Sequence, residues 1–138
     1  FTNYHSRKGK EMEENSFVSL LFFWKELERQ VRIEGKIKKI SAEESDKYFF
    51  SRPKESRIGA WSSPQSTVIE SREFLQKNVE KYNKQFGTGN IPRPDYWGGY
   101  LVVPDRLEFW QGRPGRLHDR LQYSLSENNV WIINRLAP

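Results

Sequence analysis

The segment Glu108-Phe-Trp110-Gln-Gly-Arg113-Pro-Gly-Arg116-Leu-His118-Asp-Arg120 concentrates a tryptophan, a histidine and three arginines in one polar, turn-punctuated stretch. In an extended strand, side chains alternate between faces, so Arg116, His118 and Arg120 are expected on one side. A one-sided row of cationic or proton-carrying groups repels itself unless an anion or an electron-rich ring lies over it. The chemistry predicted is therefore recognition of a phosphate or of an aromatic ring. Taken singly, Trp110 reads as core and His118 as a satisfied structural group. The flanking arginines weaken that plainer reading.

Other positions carry weaker signals of the same kind. Arg7-Lys8 beside Ser6, near an expected helix start, can hold a phosphate by charge and by free N–H groups. A solvated helix face is the plainer account. Gln30 has an amide that donates and accepts at once, which suits the heteroatom edge of a ring, although an ordinary surface glutamine looks the same. Tyr48, Arg52 and Ser56 recur at helical spacing. Pro53 breaks any continuous helix there, but the three can converge at a helix junction as a phosphate clamp. The alternative is packing for Tyr48 and plain exposure for Arg52.

Composition limits what these residues can serve. One domain is expected from 138 residues. Charged residues make up 30% and hydrophobic ones 36%, so the chain is polar for a globular monomer. An aromatic content of 14% is too high for disorder. A small core completed by a partner subunit or a bound ring reconciles the two. Without cysteine there is neither a disulfide framework nor a thiolate metal site. Two histidines, His5 and His118, exclude a histidine-rich metal centre, so no metal is expected. No apolar run approaches the roughly 20 residues that cross a bilayer, and no signal peptide is visible. A soluble cytoplasmic protein with no membrane partner is expected. The net charge of +5 arises from basic residues scattered among acids, which favours local anion pockets over a nucleic-acid stripe. The chain opens on Phe1 rather than methionine, so a cut left end is expected.

The elements that must position these residues are legible in outline. Residues 6–14 read as a short helix capped by Ser6. Phe17 to Trp24 reads as a buried strand and residues 29–40 as a half-exposed one, with Gly35 marking a bulge. Ser41-Ala-Glu-Glu44 fits a capping box opening a helix that ends near Arg52, and Pro53 begins another through about Trp61. Residues 70–86 form the longest helical pattern, with Phe74, Leu75, Val79, Tyr82 and Phe86 on one side. A loop follows from Gly87 to Pro94. Strands are predicted near 98–103, 106–111, 117–125 and 129–136. The fold class is mainly β with inserted helices, in the form of a barrel.

Leu107-Glu-Phe-Trp-Gln followed by Arg116-Leu-His-Asp-Arg120 closely resembles the signature of the pyridoxamine 5′-phosphate oxidase family. Phe1-Thr-Asn with Ser6-Arg-Lys8, Arg29-Gln-Val-Arg32, Tyr48-Phe-Phe-Ser-Arg-Pro53, Ser56-Arg-Ile-Gly-Ala60, Gln65-Ser66, Trp97-Gly-Gly99 and Arg135-Leu-Ala-Pro138 follow in that family's order. The resemblance implies an FMN-binding split β-barrel, a homodimer with FMN at the subunit interface, and one domain over residues 1–138 lacking its N-terminal strand. It implies oxidation of pyridoxamine or pyridoxine 5′-phosphate by O2 to pyridoxal 5′-phosphate, with release of hydrogen peroxide. Its FMN contacts fall on Phe1, Thr2, Arg7, Lys8, Gln30, Gln65, Ser66, Trp110 and Arg120. Substrate contacts fall on Tyr48, Arg52, Ser56, Arg116, Leu117 and His118, with Arg116 and His118 as the catalytic pair. Two other readings stay open: a non-catalytic barrel that binds FMN or pyridoxal phosphate, and a nucleic-acid-binding β-barrel whose aromatics stack on bases.

Overall fold

The computed structural model describes residues 1–138. In chain order the elements are β1 (Thr2–Asn3), α1 (Arg7–Glu14), β2 (Phe17–Trp24), β3 (Arg29–Lys39), α2 (Ala42–Ser51), α3 (Lys54–Ser62), α4 (Arg72–Phe86), β4 (Trp97–Gly98), β5 (Tyr100–Gln111), β6 (Asp119–Leu125) and β7 (Trp131–Arg135). They fall into two compact units. The first comprises Phe1–Glu14 with Lys39–Leu101, and the second Asn15–Lys38 with Val102–Pro138.

The first unit is helical around a two-stranded ribbon, β1 with β4, paired antiparallel through Thr2 with Gly98 and Asn3 with Trp97. Its helices start where the sequence places caps. Ser6, fully buried, accepts the Gly9 N–H at 3.2 Å, satisfying a donor that helix geometry leaves without a partner. At Ser41 both halves of the capping box form. Pro53 stands just before α3 as its N-cap and supplies no capping side chain. Phe49, Ile58, Ile91 and Trp97 make the core, with Trp61, Tyr82 and Phe86 packed against it. Of the apolar side predicted for α4, Tyr82 and Phe86 reach that core, whereas Phe74 and Val79 remain exposed.

The second unit is an open five-stranded sheet in the order β2-β3-β5-β6-β7. The barrel expected from the sequence does not close within this chain, so β2 and β7 are edges. Three further expectations need correction. First, Phe17 to Trp24 forms its strand, but Phe17, Leu21 and Phe23 are among the most exposed large apolar residues. An edge strand has no second neighbour of its own to cover it. Second, Gly35 marks no bulge against β2, because the β2–β3 register runs without interruption from Phe17↔Lys36 to Trp24↔Arg29. Glycine is required instead by crowding: a Cβ there would collide with the Val103 carbonyl and with Pro104. Third, the strands expected at 98–103 and 106–111 are largely one, since β5 runs through Pro104. Pairing with β6 begins only at Arg106, so the proline lies outside that ladder and interrupts none of its hydrogen bonds.

Candidate functional site

In the first unit, Arg52 and Ser56 line a cavity of about 270 Å³ together with Asn3, Gln65 and Trp97. Arg52 sits at the C-cap of α2 and Ser56 in the first turn of α3. The guanidinium lies 4.8 Å from the Trp97 ring centroid, and its Nη1 is buried without a hydrogen-bond partner. A buried donor without a partner costs about 1–3 kcal/mol. Next to it α3 begins with no side-chain cap, leaving first-turn N–H groups available. The cavity therefore presents a cation, a hydroxyl and backbone donors with no anion of its own among the residues that line it. That set suits a phosphate.

Gln65 is oriented from β1. Its Oε1 accepts from the Thr2 hydroxyl and from the Asn3 N–H, each at 3.1 Å, so its amide N–H2 group stays free. Ser66 follows in a left-handed conformation, φ 67°. Phe1 stacks on Tyr48 with centroids 3.8 Å apart and on Trp97 at 5.6 Å. Tyr48 belongs to this stack and does not line the cavity, so only Arg52 and Ser56 of the helix-spaced trio converge there. The Arg7 side chain is 84% exposed and pairs with Glu11 at 2.7 Å. Lys8 is also exposed.

In the second unit, Gln30 and Trp110 line a mostly apolar cavity of about 290 Å³ with Val31, Phe109 and Leu121. The cationic row expected along one strand is broken. Pro114–Arg116 forms a short 3-10 turn, with Gly115 at φ 68° and Arg116 at φ 61°. Only Arg120 lies within β6; His118 precedes it, and Leu117 is exposed. Proline and glycine thus convert the expected strand into a turn. The His118 Nδ1 accepts the Arg113 N–H at 3.2 Å, which places the neutral ring's proton on Nε2. Its ring packs 4.8 Å from Trp110.

The counter-charges come from within the same motif. Glu108, 5% exposed, accepts from Arg120 through both carboxylate oxygens and from Arg32 at 2.8 Å. Hydrogen bonding from Arg120 holds its carboxyl below the ordinary carboxylate range, against the opposing pull of burial. Asp119 pairs with Arg113 at 2.8 Å and Arg135 at 2.7 Å, and the Arg113 hydrogen bond chiefly lowers its pKa. Arg116 takes part in no ion pair, unlike Arg113 and Arg120, and remains available to an external anion. Sequence reasoning missed both acids. The sequence carried only part of the signal: Glu108 and Trp110 share one strand face, whereas the pairing of Trp110 with Arg120 across the hairpin is seen only in the fold.

Residues 1–86 match the family model described as pyridoxamine 5′-phosphate oxidase, and residues 97–138 match the pyridoxine 5′-phosphate oxidase C-terminal dimerisation region. Proteins named pyridoxine/pyridoxamine 5′-phosphate oxidase are 60% identical in Paraburkholderia phymatum and 56% in Rippkaea orientalis, over the whole of this chain. The chain spans 65% of the length of each. Among solved structures, PhzG from Burkholderia lata in complex with tetrahydrophenazine-1-carboxylic acid superposes with a TM-score of 0.89 at 32% identity, covering 99% of this chain and 66% of that one. A pyridoxamine 5′-phosphate oxidase-related, FMN binding protein from Nostoc punctiforme has a TM-score of 0.69 at 13% identity, covering 99% of this chain and 71% of that one, a likeness of fold.

Proposed function

This chain belongs to the pyridoxamine 5′-phosphate oxidase family, and from that premise we propose that it carries out FMN-dependent oxidation of pyridoxamine or pyridoxine 5′-phosphate. The overall reaction yields pyridoxal 5′-phosphate, consumes O2 and releases hydrogen peroxide, with ammonia as co-product from the amine. FMN, when bound, supplies the two-electron acceptor for the hydride equivalent leaving C4′ and the route of those electrons to O2. The observation that carries the reading is the cavity that Arg52 shares with Ser56, which presents a cation and a hydroxyl with no acid among its lining residues.

Within the first unit, Arg52 and Ser56, with Tyr48 beside them, hold the substrate's phosphate. Phe1, Thr2, Arg7, Lys8, Gln65 and Ser66 serve FMN. Within the second unit, Gln30, Trp110 and Arg120 serve FMN, while Arg116, Leu117 and His118 embrace the pyridine ring. The unpaired Arg116 supplies charge. His118, with its proton on Nε2, orients the substrate and helps to manage its proton. Holding the phosphate far from the reacting carbon fixes the ring, and orientation of this kind contributes about 7–11 kcal/mol at best. The protein works as a cytoplasmic homodimer with FMN at the subunit interface. The match to a dimerisation region and the exposed apolar residues of the edge strands support that assembly.

The likeness to PhzG favours one other reading, in which an unphosphorylated polycyclic acid is oxidised. Arg52 argues against it, because such a substrate brings no phosphate to the cavity that Arg52 lines with Ser56. The test is oxygen uptake by the full-length protein with pyridoxamine 5′-phosphate. His118→Asn and Arg116→Ala are each expected to lower kcat/KM about a hundredfold or more. Normal rates in both overturn the assignment. A yellow protein that takes up no oxygen indicates a carrier instead.

A further inference from the structure

We propose that Glu108 is a positioning residue for the flavin, holding Arg120 in the one orientation in which it can serve as a cofactor contact. This rests on the reading that Arg120 touches FMN. The arrangement is layered. The Glu108 side chain keeps 6% of its surface open and that of Arg120 keeps 29%, so the acid is sealed beneath a partly open guanidinium. Glu108 Oε1 accepts the Arg120 Nε–H at 2.7 Å, and Oε2 accepts from Nη2 at 3.2 Å. The Ala137 carbonyl accepts from Nη1 at 2.9 Å. Of an arginine's five N–H groups, three are thereby engaged and one on each terminal nitrogen stays free. An arginine tethered at one point swings about its long stem. A fork bound at two points on one side and a third on the other keeps its plane, which fixes the two remaining donors.

A purely structural strut is the competing account, and Arg32 separates the two. It already ties β3 to β5 through Glu108 Oε2 at 2.8 Å. A strut needs only one such cation. The second arginine instead takes both carboxylate oxygens, the geometry expected where direction matters as well as charge.

The experiment titrates FMN into the apo form of the full-length protein, following flavin fluorescence, with thermal midpoints measured in parallel. Glu108→Gln is expected to weaken FMN binding about tenfold, the scale of one charge-assisted hydrogen bond. Arg32→Gln is expected to lower the midpoint while leaving Kd within about twofold. If Glu108→Gln binds FMN as the wild type does while Arg120→Gln binds weakly, the positioning role is overturned and the flavin contact stands. If Arg120→Gln also binds normally, the contact itself fails and the proposal with it. Should Glu108→Gln not fold, Glu108→Asp keeps the charge but falls one methylene short of the fork. Wild-type FMN affinity in that variant overturns the proposal equally.

Discussion

At Arg52 the proposed binding role and fold stability pull in opposite directions. Its buried Nη1 has no partner within the chain, so the folded protein carries a desolvation cost. Arg52→Met keeps the apolar stem over Trp97 and removes the orphan donor. The thermal midpoint is expected to hold or rise, whereas KM for pyridoxamine 5′-phosphate rises a hundredfold or more, about 3 kcal/mol of lost binding. Differential scanning fluorimetry alongside steady-state kinetics checks both halves, and a lower midpoint with unchanged KM contradicts the account. Glu108 behaves in the opposite way. Its carboxyl is depressed chiefly by Arg120, so its contribution to stability is complete above the ordinary carboxylate pKa of about 4.3. That contribution is lost as pH falls through the lower folded value. Glu108→Gln should therefore destabilise the protein by about 1–3 kcal/mol near neutral pH. The difference from wild type should shrink on acidification below about pH 4, as urea melts at a series of pH values would show. The sequence made the demand for counter-charge around Arg116, His118 and Arg120 visible. It did not reveal that Glu108 and Asp119 answer part of that demand, because the hairpin pairing that assigns those acids is a tertiary fact.

At the scale of elements, local rules were readable and non-local ones were not. Ser41 and Glu44 form their box because capping depends on a few adjacent residues. Ser41→Ala should cost about 1 kcal/mol, measured by chemical denaturation. The strands expected near 98–103 and 106–111 leave Pro104-Asp105 between them, yet β5 runs through that pair and meets β6 only from Arg106 onward. Gly35 stands out in the sequence only as a glycine within a strand, whereas what crowds it is backbone nearly seventy residues away, at Val103. Gly35→Ala forces β3 from that carbonyl and should cost about 1–3 kcal/mol, the usual range for overpacking. A Gly35→Ala protein that melts with the wild type would show that the strands tolerate the extra methyl group. The turn at Pro114–Arg116 belongs to the same class. Alternation predicted a strand, and the consecutive left-handed residues Gly115 and Arg116 made a corner instead.

For the molecule as a whole, the exposed apolar residues of the open sheet are the dominant fact. Phe17, Leu21 and Phe23 share one face of β2, and on β7 Ile132 and Ile133 are also exposed. Apolar surface left open along two edge strands is the kind of surface that the proposed homodimer would cover. The same feature explains why a strand read as buried from its composition stands uncovered in a single chain. Light scattering on the full-length protein should give twice the mass of one chain, and Leu21→Lys with Phe23→Lys should shift it toward monomer with loss of flavin. A dimer that survives both substitutions would place the interface elsewhere. The most direct test of the whole account is the visible spectrum of the purified full-length protein under anaerobic pyridoxamine 5′-phosphate. Flavin absorbance that bleaches on addition of substrate and returns with air is the result the account predicts. A colourless protein, or a yellow one whose spectrum does not change with substrate, contradicts it.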